Sequence, residues 1–132
     1  MRTVGFDTNV LLTLKLKRKP GFLRAKSYLE KCLEGKINIF IPIAAFLETE
    51  WVLRSFYKLQ KEKIVEYLDE LMIMDNFISE EKDDAKLALT IFKESQATSF
   101  TDSVIIAQIH NRNYDFLTFD QNLEKLYNSL NN

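Results

Sequence analysis

Four acidic side chains stand at positions where carboxylates can do chemistry together: Asp7, Glu48, Asp102 and Asp120. Asp7 follows a short apolar run of strand character and precedes an apolar run with helical spacing. Asp120 likewise follows the predicted strand 114–119. Glu48 and Asp102 lie in early turns of predicted helices. Strand ends and the helices that follow them share the carboxyl edge of a parallel sheet, where α/β proteins bind ligands.

Carboxylates gathered at one edge repel each other, and a bound divalent cation relieves that repulsion. Ligands that are all oxygen suit Mg²⁺ or Mn²⁺, and such sites keep positions open for water. A metal at an open site can activate water and stabilise charge on a phosphodiester. The sequence therefore predicts a metal centre in which all four acids are both metal ligands and catalytic groups.

Each acid also has a purely structural interpretation. Asp7 and Asp120 suit helix N-caps, and Ser99 with Asp102 fits a capping box. Glu48 could instead pair with a cation. The caps alone do not explain why Asp7 and Asp102 are also predicted to face an apolar interior, so the joint interpretation favours a functional site.

The predicted helix over residues 43–59 carries two glutamates that cannot share a face, Glu48 and Glu50. Glu50 precedes Arg54 at i,i+4 spacing, which predicts an ion pair on a solvated face. Glu48 aligns with the small residues Ala44 and Ala45, which leave room around a carboxylate. Of the two, Glu48 is the functional candidate.

Hydrophobic periodicity predicts an alternation of strands and helices along the chain. Strands are predicted over 3–6, 37–41 and 114–119, and helices over 10–16, 22–33, 43–59, 61–74, 79–95, 101–111 and 121–130, with a linker at 97–100. Residues 72–74 also suit a short strand. Alternating elements predict an α/β fold with a parallel sheet and helices on both faces. A length of 132 residues predicts one domain over 1–132.

Composition narrows the function classes less than the motifs do. Hydrophobic residues make up 46% of the chain, enough for a core, and the net charge is -1, which neither indicates nor excludes a nucleic-acid partner. A basic cluster of Lys15, Lys17, Arg18 and Lys19 suits either a helix C-terminus or contacts with phosphate. The single cysteine excludes a disulfide framework, and no signal peptide or membrane-spanning run is apparent, so a cytoplasmic protein is expected.

Taken together, the motifs resemble those of PIN-domain ribonucleases, specifically the VapC-type toxins of toxin–antitoxin pairs. The resemblance covers nearly the whole chain and rests on four segments in order: Asp7-Thr8-Asn9-Val10-Leu11-Leu12, Glu48 ahead of Trp51-Val52-Leu53-Arg54, Ser99-Phe100-Thr101-Asp102, and Leu117-Thr118-Phe119-Asp120. After Leu12, where many relatives carry an acidic residue, this chain has its basic cluster.

The resemblance implies a three-layer fold with a central parallel sheet of four or five strands flanked by helices. It also implies Mg²⁺- or Mn²⁺-dependent cleavage of RNA, a homodimer and inhibition by a small VapB-like antitoxin protein. Asn9, with Thr8 or Thr118, would orient Asp7 or a metal-bound water.

Other classes fit the residues less well. A phosphotransferase of the haloacid-dehalogenase type needs a second aspartate where this chain has Asn9. Dinucleotide binding needs a glycine-rich loop, and the chain has only three glycines. The best rival is a non-catalytic PIN-like module that binds RNA or protein, and the four retained acids argue against it.

Overall fold

The computed structural model describes residues 1–79, 81–96 and 98–131. The chain divides into two compact units, Met1–Lys82 and Asp83–Asn132. In chain order the first unit contains β1 (Thr3–Gly5), α1 (Thr8–Leu16), α2 (Phe22–Leu33), β2 (Asn38–Phe40), α3 (Ile43–Ser55), α4 (Lys61–Met72) and β3 (Phe77–Ile78). From the boundary onward come α5 (Lys82–Glu94), α6 (Phe100–Asn111) and α7 (Gln121–Leu130).

The first unit is built on a parallel sheet with the order β1-β2-β3. Thr3 pairs with Asn38, Gly5 with Phe40, and Ile39 with Phe77. The central strand carries the core, because Ile39 is fully buried. Helix α1 packs against α2 and α3, and α3 packs against α4. The predicted α/β class with a parallel sheet flanked by helices is confirmed.

A buried tyrosine ties α4 to α1. The Tyr67 hydroxyl donates a hydrogen bond of 2.6 Å to the carbonyl oxygen of Leu11. Burial, with a smaller contribution from the negative charge of Glu70, raises the pKa of Tyr67 well above its ordinary value. This bond holds in place the helix that begins at Asp7.

The second unit has its own polar anchor. The buried Asp84 of α5 accepts hydrogen bonds from Asn111 Nδ2 at 2.8 Å and from the Arg112 guanidinium at 3.3 Å. The Tyr127 hydroxyl of α7 donates to the carbonyl oxygen of Tyr114. These contacts connect the three helices of the unit, and with them the segment that precedes Asp120.

The predicted strand over 114–119 is wrong, and so is the expected sheet of four or five strands. The part of the chain that the structure describes has three strands, and 114–119 is irregular. Leu117 and Phe119 are 85% and 97% exposed. An alternating apolar pattern makes a strand only where a neighbouring strand edge pairs with it. Here the amide of Tyr114 instead donates to Ile109 at the end of α6.

Several predicted boundaries also move. The helix predicted over 43–59 ends at Ser55, and the one predicted over 61–74 ends at Met72. The third strand is Phe77–Ile78 and not 72–74. Glu80 in the predicted start of α5 and Ala97 in the predicted linker lie outside the described residues. Over the described ranges, no helix has both the length and the apolar character needed to cross a bilayer.

Candidate metal centre

Asp7 stands at the joint between β1 and α1. Its backbone is extended, with φ -98° and ψ 178°, and its Oδ1 accepts a hydrogen bond of 3.0 Å from the amide of Val10. The helix-cap interpretation of Asp7 is therefore correct. The side chain is exposed and does not face an apolar interior as predicted. Its second oxygen, Oδ2, receives no hydrogen bond from the described residues, so it remains available to a ligand.

Glu48 reaches the same place from α3. Pro42, with ψ 148°, is the last extended residue before the helix, and Glu48 lies in the second turn. Its carboxylate is exposed, and no hydrogen bond or ion pair with a described residue engages it. Asp7 and Glu48 both line one open cavity of about 510 Å³ at the carboxyl ends of β1 and β2. The other lining residues are Gly5, Phe6, Thr8, Val10, Phe40, Pro42, Ala44 and Ala45.

Glu50 differs from its prediction. The i,i+4 pair with Arg54 is present, with Arg54 Nε 2.7 Å from Glu50 Oε2. However, Glu50 is only 2% exposed, so the predicted solvated face is wrong. Helix α3 has apolar residues on several sides, and tertiary packing buries the stripe of Phe46, Glu50 and Leu53. Trp51, on another side, is 56% exposed.

Asn9 is held by a cation from the end of α1. The Arg18 guanidinium donates to Asn9 Oδ1, and at 3.3 Å to the Asn9 carbonyl oxygen and to Thr13 Oγ1. With Oδ1 engaged, the Asn9 Nδ2 group is the end left to donate to a ligand. The predicted role of Asn9 in orienting Asp7 or a water stays a prediction.

The other members of the basic cluster, Lys15, Lys17 and Lys19, differ in their exposure and contacts. Lys15 Nζ lies 5.5 Å from the centroid of the Tyr67 ring, so its charge is partly used inside the protein. Lys17, which adopts the left-handed conformation at φ 54°, and Lys19 are exposed. These two are the members most accessible to RNA, and the predicted contacts of the cluster with nucleic acid stay a prediction.

Asp102 lies in the first turn of α6. Ser99 Oγ accepts a hydrogen bond of 3.0 Å from the Asp102 amide, as in the first half of a capping box. The Asp102 side chain is half-buried, and within the described ranges nothing donates a hydrogen bond to its carboxylate. Ile105, one turn further along the same side of α6, is 42% exposed, so the buried stripe lies toward Ser103 and Val104 and not along the side of Asp102.

Asp120 is the N-cap of α7. Its Oδ1 accepts from the amides of Asn122 and Leu123 at 2.9 and 3.2 Å. Thr118 Oγ1 accepts from the Asp120 amide at 3.1 Å. Thr118 thus holds the backbone that presents Asp120. No hydrogen bond from the described residues engages Asp120 Oδ2, so this oxygen is available to a ligand.

The acids suit a hard divalent cation. In the first unit, two exposed carboxylates line a cavity whose described lining contains no lysine, arginine or histidine. Two carboxylates with no cation beside them favour binding of one. Within the described residues of either unit, no group of three or more Asp, Glu, His or Cys side chains is close enough to hold a metal.

A second cavity, which sequence reasoning missed, lies on the other side of Asp7. It measures about 400 Å³ and shares Gly5, Phe6, Asp7 and Val10 with the first. Its remaining lining comes from β1, α1 and α2: Val4, Asn9, Thr13, Gly21, Arg24, Ala25 and Tyr28. The available signal was the i,i+3,i+4,i+7 spacing of Gly21, Arg24, Ala25 and Tyr28, which places them on one side of a helix.

The chain is thus a parallel α/β fold that places one acid after its first strand and a second acid in the helix after its second strand, at the edge where such folds bind ligands. The chain belongs to the PIN domain family, whose model matches residues 5–128 and so spans both units. Neither the curated proteins nor the solved structures include a match. PIN domains are generally metal-dependent nucleases that act on RNA and use Mg²⁺ or Mn²⁺.

Proposed function

We propose that this protein is a metal-dependent endoribonuclease and the toxin of a toxin–antitoxin pair. The observation that carries the proposal is the cavity lined by both Asp7 and Glu48, two exposed carboxylates with no lysine, arginine or histidine in the described lining. Membership of the PIN domain family supports a nuclease, and the four quoted motifs support the toxin class.

The proposed metal ligands are carboxylates that lie at or near the N-terminal ends of helices. Asp7 would use Oδ2, because the Val10 amide occupies Oδ1. Asp120 would use Oδ2 for the same reason. Glu48 and Asp102 would offer whole carboxylates. We propose all four carboxylates as metal ligands and catalytic groups.

When bound, Mg²⁺ or Mn²⁺ would lower the pKa of a coordinated water and neutralise charge on the phosphodiester. The chain's own residues would orient the reactants. The exposed carboxylate of Glu48 sits on a helix anchored by buried neighbours, so it can accept a hydrogen bond from the attacking water in a constant direction. Asn9, fixed by Arg18, would donate from Nδ2 to that water or to Asp7.

The proposed partners follow from the proposed class. They are an RNA substrate, a second copy of the chain and a small VapB-like antitoxin, and the activity would lie in the cytoplasm. Lys17 and Lys19, exposed after α1, are proposed contacts for RNA, with Lys15 and Arg18 behind them.

The decisive experiment expresses the chain without an antitoxin and incubates it with total RNA, with and without Mg²⁺. Sequencing of the cleaved ends would identify the substrate and the cleavage position. The matched control is Glu48→Gln, which should express and fold but not cleave. Full cleavage in excess chelator, or by Glu48→Gln at the wild-type rate, would overturn the proposal. Growth arrest on expression, absent with Glu48→Gln, would support the toxin role.

A further inference from the structure

Asp7 separates two cavities of opposite character. On the α3 side it shares a cavity with Glu48, and on the α2 side it shares one with Arg24 and Tyr28. Helix α2 presents Arg24 and Tyr28 about one turn apart, and the small residues Gly21 and Ala25 beside them leave the space open. The second cavity thus has a cation and a phenol beside the carboxylate of the first.

Three cations gather around Tyr28. The Arg2 guanidinium lies 5.8 Å and Lys31 Nζ 5.2 Å from the centroid of its ring. A hydrogen bond from Arg24, followed by the hydrogen bond and charge of Arg2, lowers the pKa of the Tyr28 hydroxyl. Among the described residues, none of these three cations forms an ion pair with a carboxylate.

Positive charges held together and not paired with a carboxylate repel each other, so an anion that binds among them is stabilised. A guanidinium presents a planar fork that suits phosphate oxygens, and a phenol adds a neutral donor. Grooves that follow a nucleic-acid backbone combine such cations with aromatic side chains. Asp7 lines both cavities, so the two cavities are adjacent. One phosphate of a nucleic-acid backbone can therefore lie beside Arg24 while the next phosphate along the backbone lies near Asp7 and Glu48.

We propose that the cavity between β1, α1 and α2 binds the phosphodiester backbone of single-stranded RNA next to the bond that is cleaved, with Arg24 and Tyr28 as its contacts. The proposal rests on the proposed ribonuclease function. Arg2 and Lys31, which lie against the Tyr28 ring, add positive charge, and Asn9 lines the same cavity.

The test measures binding apart from cleavage. A fluorescein-labelled single-stranded RNA is titrated, with EDTA present, into the full chain carrying Glu48→Gln, and anisotropy is recorded at several salt concentrations. Adding Arg24→Ala should weaken binding about fivefold or more and reduce the slope of log K against log salt by about 0.7, the value for one lost phosphate contact. Tyr28→Phe should weaken it less, because it keeps the ring and loses only the hydroxyl.

The control is Lys26→Ala, which removes the same charge from an exposed position on α2 outside the cavity. It should change the affinity less than about twofold, as expected for a surface charge without a direct contact. Arg24 is exposed, so its variant should melt with the parent chain. If Arg24→Ala and Lys26→Ala bind RNA equally, the proposal is wrong, whether or not the wild type cleaves RNA.

Two further outcomes separate this proposal from the proposed function. If RNA binding depends on Arg24 while the wild-type chain does not cleave RNA with Mg²⁺ or Mn²⁺, the cavity proposal stands and the ribonuclease proposal fails. If an oligo-glutamate peptide binds with dependence on Arg24 and RNA does not, the cavity recognises carboxylates, and the RNA proposal is overturned.

Discussion

Two glutamates on α3 provide the sharpest test, because the structure assigns them opposite roles. Glu48 is exposed at the cavity of Asp7, whereas Glu50 is 2% exposed and bound to Arg54. Replacement by glutamine keeps the size of either side chain and removes its charge. Glu48→Gln should abolish cleavage and leave the fold intact. Glu50→Gln should destabilise the fold and leave cleavage nearly unchanged well below its melting temperature.

The expected cost of Glu50→Gln follows from its contacts. The variant loses the charged hydrogen bond of 2.7 Å between Arg54 Nε and Glu50 Oε2. The glutamine places either its amide NH₂ or its carbonyl oxygen, a weaker acceptor than a carboxylate, against the Arg54 guanidinium. Such bonds contribute about 1.5–3 kcal/mol. The Arg54 side chain is 48% exposed and regains water, which favours the lower half of that range, about 2 kcal/mol. With an unfolding entropy of about 2.1 cal/mol/K per residue, the 132-residue chain should melt about 7 °C lower.

The assay records melting curves and RNA cleavage on the same preparations. Glu48→Gln, exposed and free of ion pairs within the described residues, should change stability by less than about 0.5 kcal/mol. Glu66→Gln is the matched control, because Glu66 forms only an exposed pair at 3.9 Å with Lys63. Glu66→Gln should change neither the melting temperature nor the rate of RNA cleavage. Equal loss of cleavage in the Glu48 and Glu50 variants, or an unchanged melting temperature for Glu50→Gln, would refute this reasoning.

Three further predictions address the metal, Asp102 and Tyr67. Mg²⁺ or Mn²⁺ should raise the melting temperature, and chelation should abolish cleavage. A melting curve that does not change on addition of metal would contradict the proposed metal centre. Asp102→Asn should leave the metal-free protein equally or more stable, since it relieves repulsion and asparagine still suits the helix start, while cleavage falls steeply; wild-type cleavage would return Asp102 to a purely structural role. Burial raises the pKa of Tyr67 in the folded protein, so the unfolded chain loses this proton at a lower pH than the folded protein does. The stability that the protonated hydroxyl contributes is therefore present below a pH of about 10, the ordinary pKa of tyrosine, and is lost as the pH rises above that value. Tyr67→Phe should remove that pH dependence in alkaline melting curves.

The elements around the candidate site were largely predictable from local pattern. Helix α2 begins and ends where its periodicity predicts, and α7 likewise matches its predicted range. The N-caps Asp7 and Asp120 were also predictable, because capping involves only the residue and the next turn of helix. Local interactions decide such features before any tertiary contact forms.

The predicted last strand shows the limit of local pattern. Residues 114–119 have the composition of a strand, yet a strand exists only when a distant edge supplies backbone partners. In the structure the amide of Tyr114 donates to the carbonyl oxygen of Ile109, and the carbonyl oxygen of Tyr114 accepts from the Tyr127 hydroxyl. The local sequence pattern could not show that residues 114–119 stay irregular, because a strand depends on a pairing partner that lies elsewhere in the sequence.

The sequence by itself determined the parallel α/β class and the placement of Asp7 at a strand–helix joint. Only the tertiary structure decided which side of α3 is buried, because several sides are apolar and packing selects one. It also decided that Arg24 and Tyr28 lie beside Asp7. They are far enough along the chain that only the packing of α2 against α1 and β2 brings them there.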